Sequence, residues 1–157
     1  MSKVVICAID DWEGGAGAVH VARTVARCFR LPLVYVHVVE PGRGEEGAVE
    51  AFGLLRHAVE TTSGVEASSK IEQGHPADRI VALAKERDAA YVVLGCHGPR
   101  SSLLGSVSAD VSRRAPCPVL IVPPDAALAP EPEADESPFA GGIIRFDLGR
   151  PATPTTP

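Results

Sequence analysis

The apolar positions of this chain alternate between two periods. Val4–Ile9 and Leu33–Val39 are almost uninterrupted apolar runs, a pattern typical of strands covered on both faces of a sheet. Further apolar runs at 91–94 and 119–122, and a weaker one at 65–73, complete five predicted strands. Between consecutive strands the apolar residues recur at helical spacing. The pattern therefore predicts the order β-α-β-α-β-α-β-α-β.

Four helices are predicted between these strands. The periodicity of the first continues to Phe29, and the second covers Glu45–Thr62. Pro76 starts the third, because proline is favoured in a first helical turn, and the fourth begins near Gly105. The predicted apolar face of the second helix consists of Val49, Phe52, Leu55 and Val59.

This order of elements predicts an α/β fold with an open five-stranded parallel sheet, doubly wound, with helices on both faces. Ligands of such sheets bind at the carboxyl ends of the strands, near the point where the strand order reverses.

The chain divides into a domain over residues 1–123 and a Pro-rich, acidic tail over 124–157. The net charge of −5 is concentrated in the tail, which also holds half of the fourteen prolines. We expect this tail to be disordered or loosely docked. Its stretch 139–148 has alternating apolar residues, which could add an edge strand or fill a groove; a mobile segment with a few apolar residues is the alternative.

Composition restricts the compartment and the partners. The nearly neutral domain argues against a nucleic-acid partner held by a basic face. No apolar run reaches bilayer length, and a strand begins without a preceding leader, so we expect a cytoplasmic protein without a membrane partner.

The four cysteines form no CxxC pair, and we interpret Cys7 and Cys28 as small buried hydrophobes.

A glycine-punctuated loop follows the fourth predicted strand. Gly95 and Gly98 come directly after its apolar run, and Gly105 and Ser106 open the next helix, with Ser106 as its expected N-cap. Glycines let a backbone approach a ligand closely, and the free N–H groups of a helix start attract anions. We interpret this loop as a phosphate cradle, in which His97 could contact phosphate or ribose.

Other signals are better explained without catalysis. His37 lies within a buried strand and is expected to be a hydrogen-bonded core residue, whereas His20 is expected at the surface of a helix. Gly15 and Gly17 faintly resemble a dinucleotide fingerprint, but a turn into a helix explains them better. The loop lacks a P-loop lysine, and no histidine–carboxylate pair can be placed beside its serines, so we do not expect an enzyme.

Three stretches carry a resemblance to a known family. VVICAIDDWEG at the start, LVYVHVVEP after the first helix and VVLGCHGPRSSLLGSVSADVSRRAPCPVLIV near the end resemble the universal stress protein family over roughly the first 123 residues. The resemblance implies a regulatory, stress-response protein with a five-stranded parallel α/β fold. It implies a homodimer formed through the last strand, Val119–Val122, a further protein partner that is unknown, and ATP as the ligand of the nucleotide-binding branch.

The resemblance also assigns roles to residues. The family's Gly-x2-Gly-x9-Gly-(Ser/Thr) signature falls on Gly95, Gly98, Gly105 and Ser106. Asp10 matches the acidic residue near adenine or ribose. Val38 and Leu94 match positions that contact adenine.

One part of the signature differs. Six residues separate Gly98 from Gly105, three fewer than in the family, and Pro99 removes a backbone donor from this loop. Arg100 could compensate with side-chain donors. The interpretation is therefore a regulatory protein that binds ATP, with Mg²⁺ as a further expected cofactor. The alternative is a nucleotide-free dimeric interaction module whose shortened loop is closed over the pocket.

Overall fold

A computed structural model describes residues 3–96 and 105–131 of the chain. Within these residues, five strands alternate with four helices, as the apolar pattern predicts. The elements are β1 (Val4–Ala8), α1 (Trp12–Phe29), β2 (Leu33–Val39), α2 (Gly44–Glu60), β3 (Ala67–Gln73), α3 (Pro76–Glu86), β4 (Ala89–Gly95), α4 (Ser106–Arg114) and β5 (Val119–Val122).

The five strands form one parallel sheet in the order β3-β2-β1-β4-β5. The chain builds outward from β1 to β3 and then returns to the other side of β1 with β4. This reversal confirms the predicted doubly wound sheet. The carboxyl ends of β1 and β4, paired at Ala8 and Leu94, lie side by side where the order reverses.

The sheet separates two apolar cores. On one face, Ile6, Val34 and Val92 pack among α3 and α4, whereas on the other face Val5 and Tyr35 pack under α1 and α2. All of these side chains are almost fully buried. Because β1 is covered on both faces, its sequence is continuously apolar.

The buried face of α2 differs from the one that the sequence predicts. Leu55 is buried as expected, but Val49 and Phe52 are 70% and 60% exposed. The residues that α2 buries are Gly47, Ala51, Leu55 and Ala58. Small residues let this helix approach the sheet closely, so the larger apolar residues do not identify its inner face.

Gly15 and Gly17 lie inside α1 and not in a turn before it. The helix begins at Trp12, because the side chain of Asp11 caps it by accepting a hydrogen bond from the Gly14 N–H at 2.5 Å. A Cβ atom on Gly15 would lie 2.8 Å from Cγ2 of Ile9. Close packing of α1 on the end of β1 therefore explains Gly15.

An ion-pair cluster joins β3 to α3. The Glu72 carboxylate accepts hydrogen bonds from both Nε and Nη2 of Arg79, with Nε at 3.0 Å, and Lys70 Nζ lies 2.8 Å from Glu72 Oε1. The hydrogen bond from Lys70, followed by that from Arg79, lowers the pKa of Glu72, whose side chain is 8% exposed. These contacts fix the start of α3 beside the carboxyl end of β3.

The first part of the predicted tail, residues 124–131, contacts α1. The Nε2 atom of His20 lies 2.6 Å from the carbonyl oxygen of Ala129, so this segment partly covers the His20 side chain, which is 24% exposed. The remainder of the tail, including the stretch 139–148, lies outside the described residues.

The orientation of α2 predicts effects of very different size for two substitutions in this helix. Leu55→Ala should lower the free energy of unfolding by about 2–5 kcal/mol, because it leaves a cavity in the core. Phe52→Ala should change it by less than about 0.5 kcal/mol, because that ring is largely exposed. Urea unfolding of both variants measures the difference, and a larger loss for Phe52→Ala would contradict this placement of α2.

The lowered pKa of Glu72 predicts how its contribution to stability depends on pH. A carboxylate with a depressed pKa stabilises the fold above its unfolded-state pKa, and the stabilisation is lost as the pH falls through the folded-state value. Glu72→Gln should therefore lower the free energy of unfolding by about 1 kcal/mol at pH 7, where both cationic partners are partly exposed.

The difference between wild type and Glu72→Gln should shrink as the pH falls below about 4.3, the ordinary pKa of a glutamate. Unfolding titrations between pH 3 and pH 7 test this, with Glu66→Gln at an exposed position as the matched control. A difference that stays constant down to pH 3 would show that the charge of Glu72 does not contribute.

Candidate functional site

A cavity of about 260 Å³ lies at the carboxyl ends of β1, β2 and β4, between α3 and α4. It occupies the place where the strand order reverses, the expected ligand position in a doubly wound sheet. Its lining residues are Ala8, Ile9, Asp10, Val36, Val38, Glu40, Pro76, Ile80, Leu94, Gly95, Gly105, Ser106, Val107 and Ser108.

The floor of the cavity is apolar and its rim is polar. Val36 and Leu94 are buried, Val38 is half-buried, and Ile80 covers them from α3. A flat apolar ligand such as an aromatic base can pack on such a floor. The carboxylates of Asp10 and Glu40 stand at the exposed side.

The two consecutive aspartates after β1 have different roles. Asp11 caps α1 through its side chain, as described above. Asp10 is exposed and lines the cavity, and it also borders a neighbouring groove that Glu40, Arg43 and Glu50 line from the α2 side. Asp10 is therefore the member of the pair that can accept hydrogen bonds from a ligand.

His37 positions the backbone that carries Asp10. The paired register of β1 and β2 ends at Ala8 and Val36, and the next carbonyl group, that of Ile9, lies 2.8 Å from Nδ1 of His37. The Ile9 N–H still donates to the Val36 carbonyl at 2.9 Å. The predicted hydrogen-bonded role of His37 is confirmed, and the contact fixes the chain one residue before the cavity rim.

The amino terminus of α4 supplies backbone donors to the cavity. Gly105 is its N-cap and makes no side-chain capping bond, so the prediction of Ser106 as N-cap is wrong by one residue. The first N–H groups of a helix have no intrahelical acceptor, and the helix dipole makes this end attractive to anions. Ser108 donates from Oγ to the Gly95 carbonyl at 3.4 Å, which ties the helix start to the end of β4.

The structure brings together most of the residues that the sequence nominates. The candidates that line this single cavity are Asp10, Val38, Leu94, Gly95, Gly105 and Ser106. His97, Gly98 and Arg100 belong to the loop 97–104, which lies outside the described residues.

Sequence reasoning did not include Glu40, Pro76, Ile80 and Ser108 in the site. A signal existed for two of them, because Glu40 directly follows a predicted strand and Pro76 opens a predicted helix. Ile80 and Ser108 gave no such signal, since each lies inside a helix.

Two further features are absent from the part of the chain that the structure describes. Among residues 3–96 and 105–131, no group of three or more His, Cys, Asp or Glu side chains is arranged to hold a metal ion. None of the helices in the described part of the chain combines the length and apolar character needed to cross a membrane. The four cysteines are all free thiols.

Two curated relatives with similar sequences are named universal stress proteins. The universal stress protein YxiE of Bacillus subtilis is 37% identical over 97 residues, covering 57% of this chain and 65% of the relative. The universal stress protein Rv2623 of Mycobacterium tuberculosis is 30% identical over 159 residues, covering 88% of this chain. This chain spans 53% of the length of the M. tuberculosis protein.

Two solved structures with related sequences hold adenine nucleotides. A universal stress protein from Archaeoglobus fulgidus in complex with dAMP has a TM-score of 0.66 and 28% identity, covering 76% of this chain and 97% of that chain. A universal stress protein in complex with cAMP has a TM-score of 0.65 and 25% identity, covering 77% of this chain and 97% of that chain. The family model described as "Universal stress protein family" matches residues 1–123. The chain therefore belongs to the universal stress protein family.

Proposed function

We propose that the chain is a regulatory protein that binds an adenine nucleotide, ATP, in the cavity between α3 and α4. The observation that carries the proposal is the convergence of an apolar floor, a rim carboxylate and uncapped helix amides in one cavity. The dAMP and cAMP complexes of related proteins support the choice of an adenine nucleotide.

Each part of the nucleotide has a matching chemical group. Adenine packs on Val38 and Leu94, and Asp10 accepts hydrogen bonds from ribose hydroxyls. The backbone N–H groups at Gly105 and Ser106 receive phosphate oxygens, together with Gly95. The family resemblance adds His97, Gly98 and Arg100 from the neighbouring loop, and Mg²⁺ bound to the phosphates would offset their charge.

The size of the cavity bears on how the ligand is held. About 260 Å³ is slightly below the usual range of ligand pockets, about 300–1,000 Å³. The cavity therefore encloses the adenine and ribose nearest the sheet, and the phosphates extend toward the start of α4.

We also propose a homodimer that forms through β5, in the reducing cytoplasm, where free thiols persist. Among residues 3–96 and 105–131, β5 is an edge strand, and its Val119, Leu120 and Ile121 are only partly buried. The Pro118 and Val122 carbonyls accept hydrogen bonds from β4. By alternation along the strand, the peptide groups of Val119 and Ile121 face the open edge, where a second chain can pair with them.

Gly105→Val tests the nucleotide site. Gly105 has φ −62° and ψ 159°, a backbone conformation that valine also adopts, so the fold should persist while the new side chain obstructs the phosphates. We expect the affinity for labelled ATP, measured by equilibrium binding, to fall at least about tenfold, the equivalent of one charge-assisted hydrogen bond.

Gly53→Val is the matched control for this experiment, because no atom lies within 4 Å of a Cβ placed on Gly53 of α2. It should bind ATP like the wild type. Absence of saturable binding by the wild type at millimolar ATP would contradict the proposal and would favour the nucleotide-free interaction module.

Ile121→Pro tests the dimer. Proline removes the outward N–H of this edge strand and keeps the ladder to β4, a position where proline is tolerated. We expect the dimer to dissociate to a monomer at micromolar concentration in analytical ultracentrifugation, with the thermal unfolding transition retained. A folded variant that remains dimeric would show that β5 is not the interface.

A further inference from the structure

Residues 124–131, here called the strap, follow β5 and run along α1. Where the chain enters the strap, a Cβ atom on Gly17 would lie 3.2 Å from Cγ1 of Val122 and 3.7 Å from Cδ1 of Leu128. The absence of a side chain at Gly17 lets the strap pack directly on the helix. One turn further along α1, Nε2 of His20 lies 2.6 Å from the Ala129 carbonyl oxygen.

The strap ends with a carboxylate among three basic side chains. Glu131 Oε2 lies 2.6 Å from a terminal nitrogen of Arg27. Its Oε1 lies 3.6 Å from a terminal nitrogen of Arg23. Nδ1 of His20 lies 3.4 Å from the same oxygen, and this contact is an ion pair only when the imidazole is protonated, because Nε2–H donates to the Ala129 carbonyl. The Arg23 and Arg27 side chains are only 13% and 11% exposed, so water screens this cluster less than it screens a surface ion pair.

Contacts that do not involve Glu131 hold Arg23 in place. Its Nε donates to Tyr35 Oη at 3.2 Å and to Thr62 Oγ1 at 3.1 Å. One terminal nitrogen donates to Thr61 Oγ1 at 2.6 Å and to the Ala58 carbonyl at 3.3 Å. The carboxyl end of α2 therefore orients this guanidinium before any carboxylate binds.

Arg27 is oriented in the same way. Its Nε and one terminal nitrogen donate to the Ser63 carbonyl at 3.1 and 2.9 Å. The other terminal nitrogen contacts Glu131. A site whose donors are already fixed binds an anion with a smaller loss of side-chain entropy.

We propose that His20, Arg23 and Arg27 form a carboxylate-binding site for an acidic peptide, and that Glu131 of the same chain is its ligand. The site lies on the α1–α2 side of the sheet, and none of its three residues lines the nucleotide cavity. It is independent of the proposed nucleotide function. By holding Glu131, it anchors the strap and extends the folded unit beyond residue 123.

The contacts favour a peptide over a free anion. His20 binds a backbone carbonyl two residues before the carboxylate, so the site recognises a main-chain group and a side-chain acid together. The sequence after Glu131 continues with Glu133, Asp135 and Glu136, which matches a basic site in charge.

Glu131→Gln in the full-length chain tests the anchoring. Losing the charged partner should raise the rate of thermolysin cleavage before Leu128 about tenfold, because the strap opens more often. Glu66→Gln, an exposed glutamate away from the site, should cleave at the wild-type rate. Equal protection of the strap in wild type and Glu131→Gln would overturn the proposal.

A second arm tests the site itself. An acetylated and amidated peptide of residues 124–131, PDAALAPE, should bind Glu131→Gln saturably in a calorimetric titration. The same peptide ending in Gln, and inorganic sulfate, should each bind at least about tenfold more weakly.

Adding Arg27→Gln to Glu131→Gln should abolish peptide binding, with thermal unfolding confirming that the double variant folds. Binding that is insensitive to Arg27→Gln, or sulfate binding as tight as that of the peptide, would overturn the proposal.

Discussion

The rest of the structure depends on the burial of β1 between β2 and β4. Because both of its faces are covered, Val5, Ile6 and Cys7 are fully buried, and the strand can carry no polar chemistry along its length. Its first exposed polar residue is Asp10, just beyond its carboxyl end. The chain leaves β1 toward α1 on one face, and it leaves β4 toward α4 on the other. These opposite departures open the cavity, so burial of the central strand fixes where a ligand can bind.

The sequence predicts the strands more reliably than the buried faces of the helices. Leu33–Val39 and Val119–Val122 have the predicted bounds, because each strand is a continuous apolar run flanked by proline or a charged residue. The face of α2 was misassigned because hydrophobicity ranks Val49 and Phe52 above glycine and alanine. A Cβ atom on Gly47 would lie 2.7 Å from Cβ of Arg43 and 3.1 Å from Cγ1 of Val39, so the space between these neighbours, and not hydrophobicity, selects glycine there. These distances depend on how the helix packs against other parts of the chain, so the hydrophobicity pattern of the helix alone does not reveal them.

Contacts between distant parts of the chain also limit how much of the candidate site the sequence predicts. Residues that directly follow a strand, such as Asp10 and Gly95, can be predicted because parallel strands end at a common edge. The contact of His37 with the Ile9 carbonyl joins residues 28 positions apart, and that of Arg27 with Glu131 joins residues 104 positions apart. The composition shows that the segment after residue 123 is acidic and rich in proline. It does not show that Glu131 contacts Arg23 and Arg27.

The family match and the packing place the end of the domain differently. The match to the universal stress protein family ends at residue 123, where the five-stranded sheet is complete. The packing continues to Glu131, because α1 presents a glycine and three basic side chains to the chain that follows. A helix of 18 residues is about 27 Å long, so α1 reaches from the Asp11 cap beside the candidate cavity to Arg27 at the far end of the strap. One helix therefore supports the cavity rim at its start and holds the strap along its length. For this chain, contacts with α1 define the folded unit better than the family boundary does.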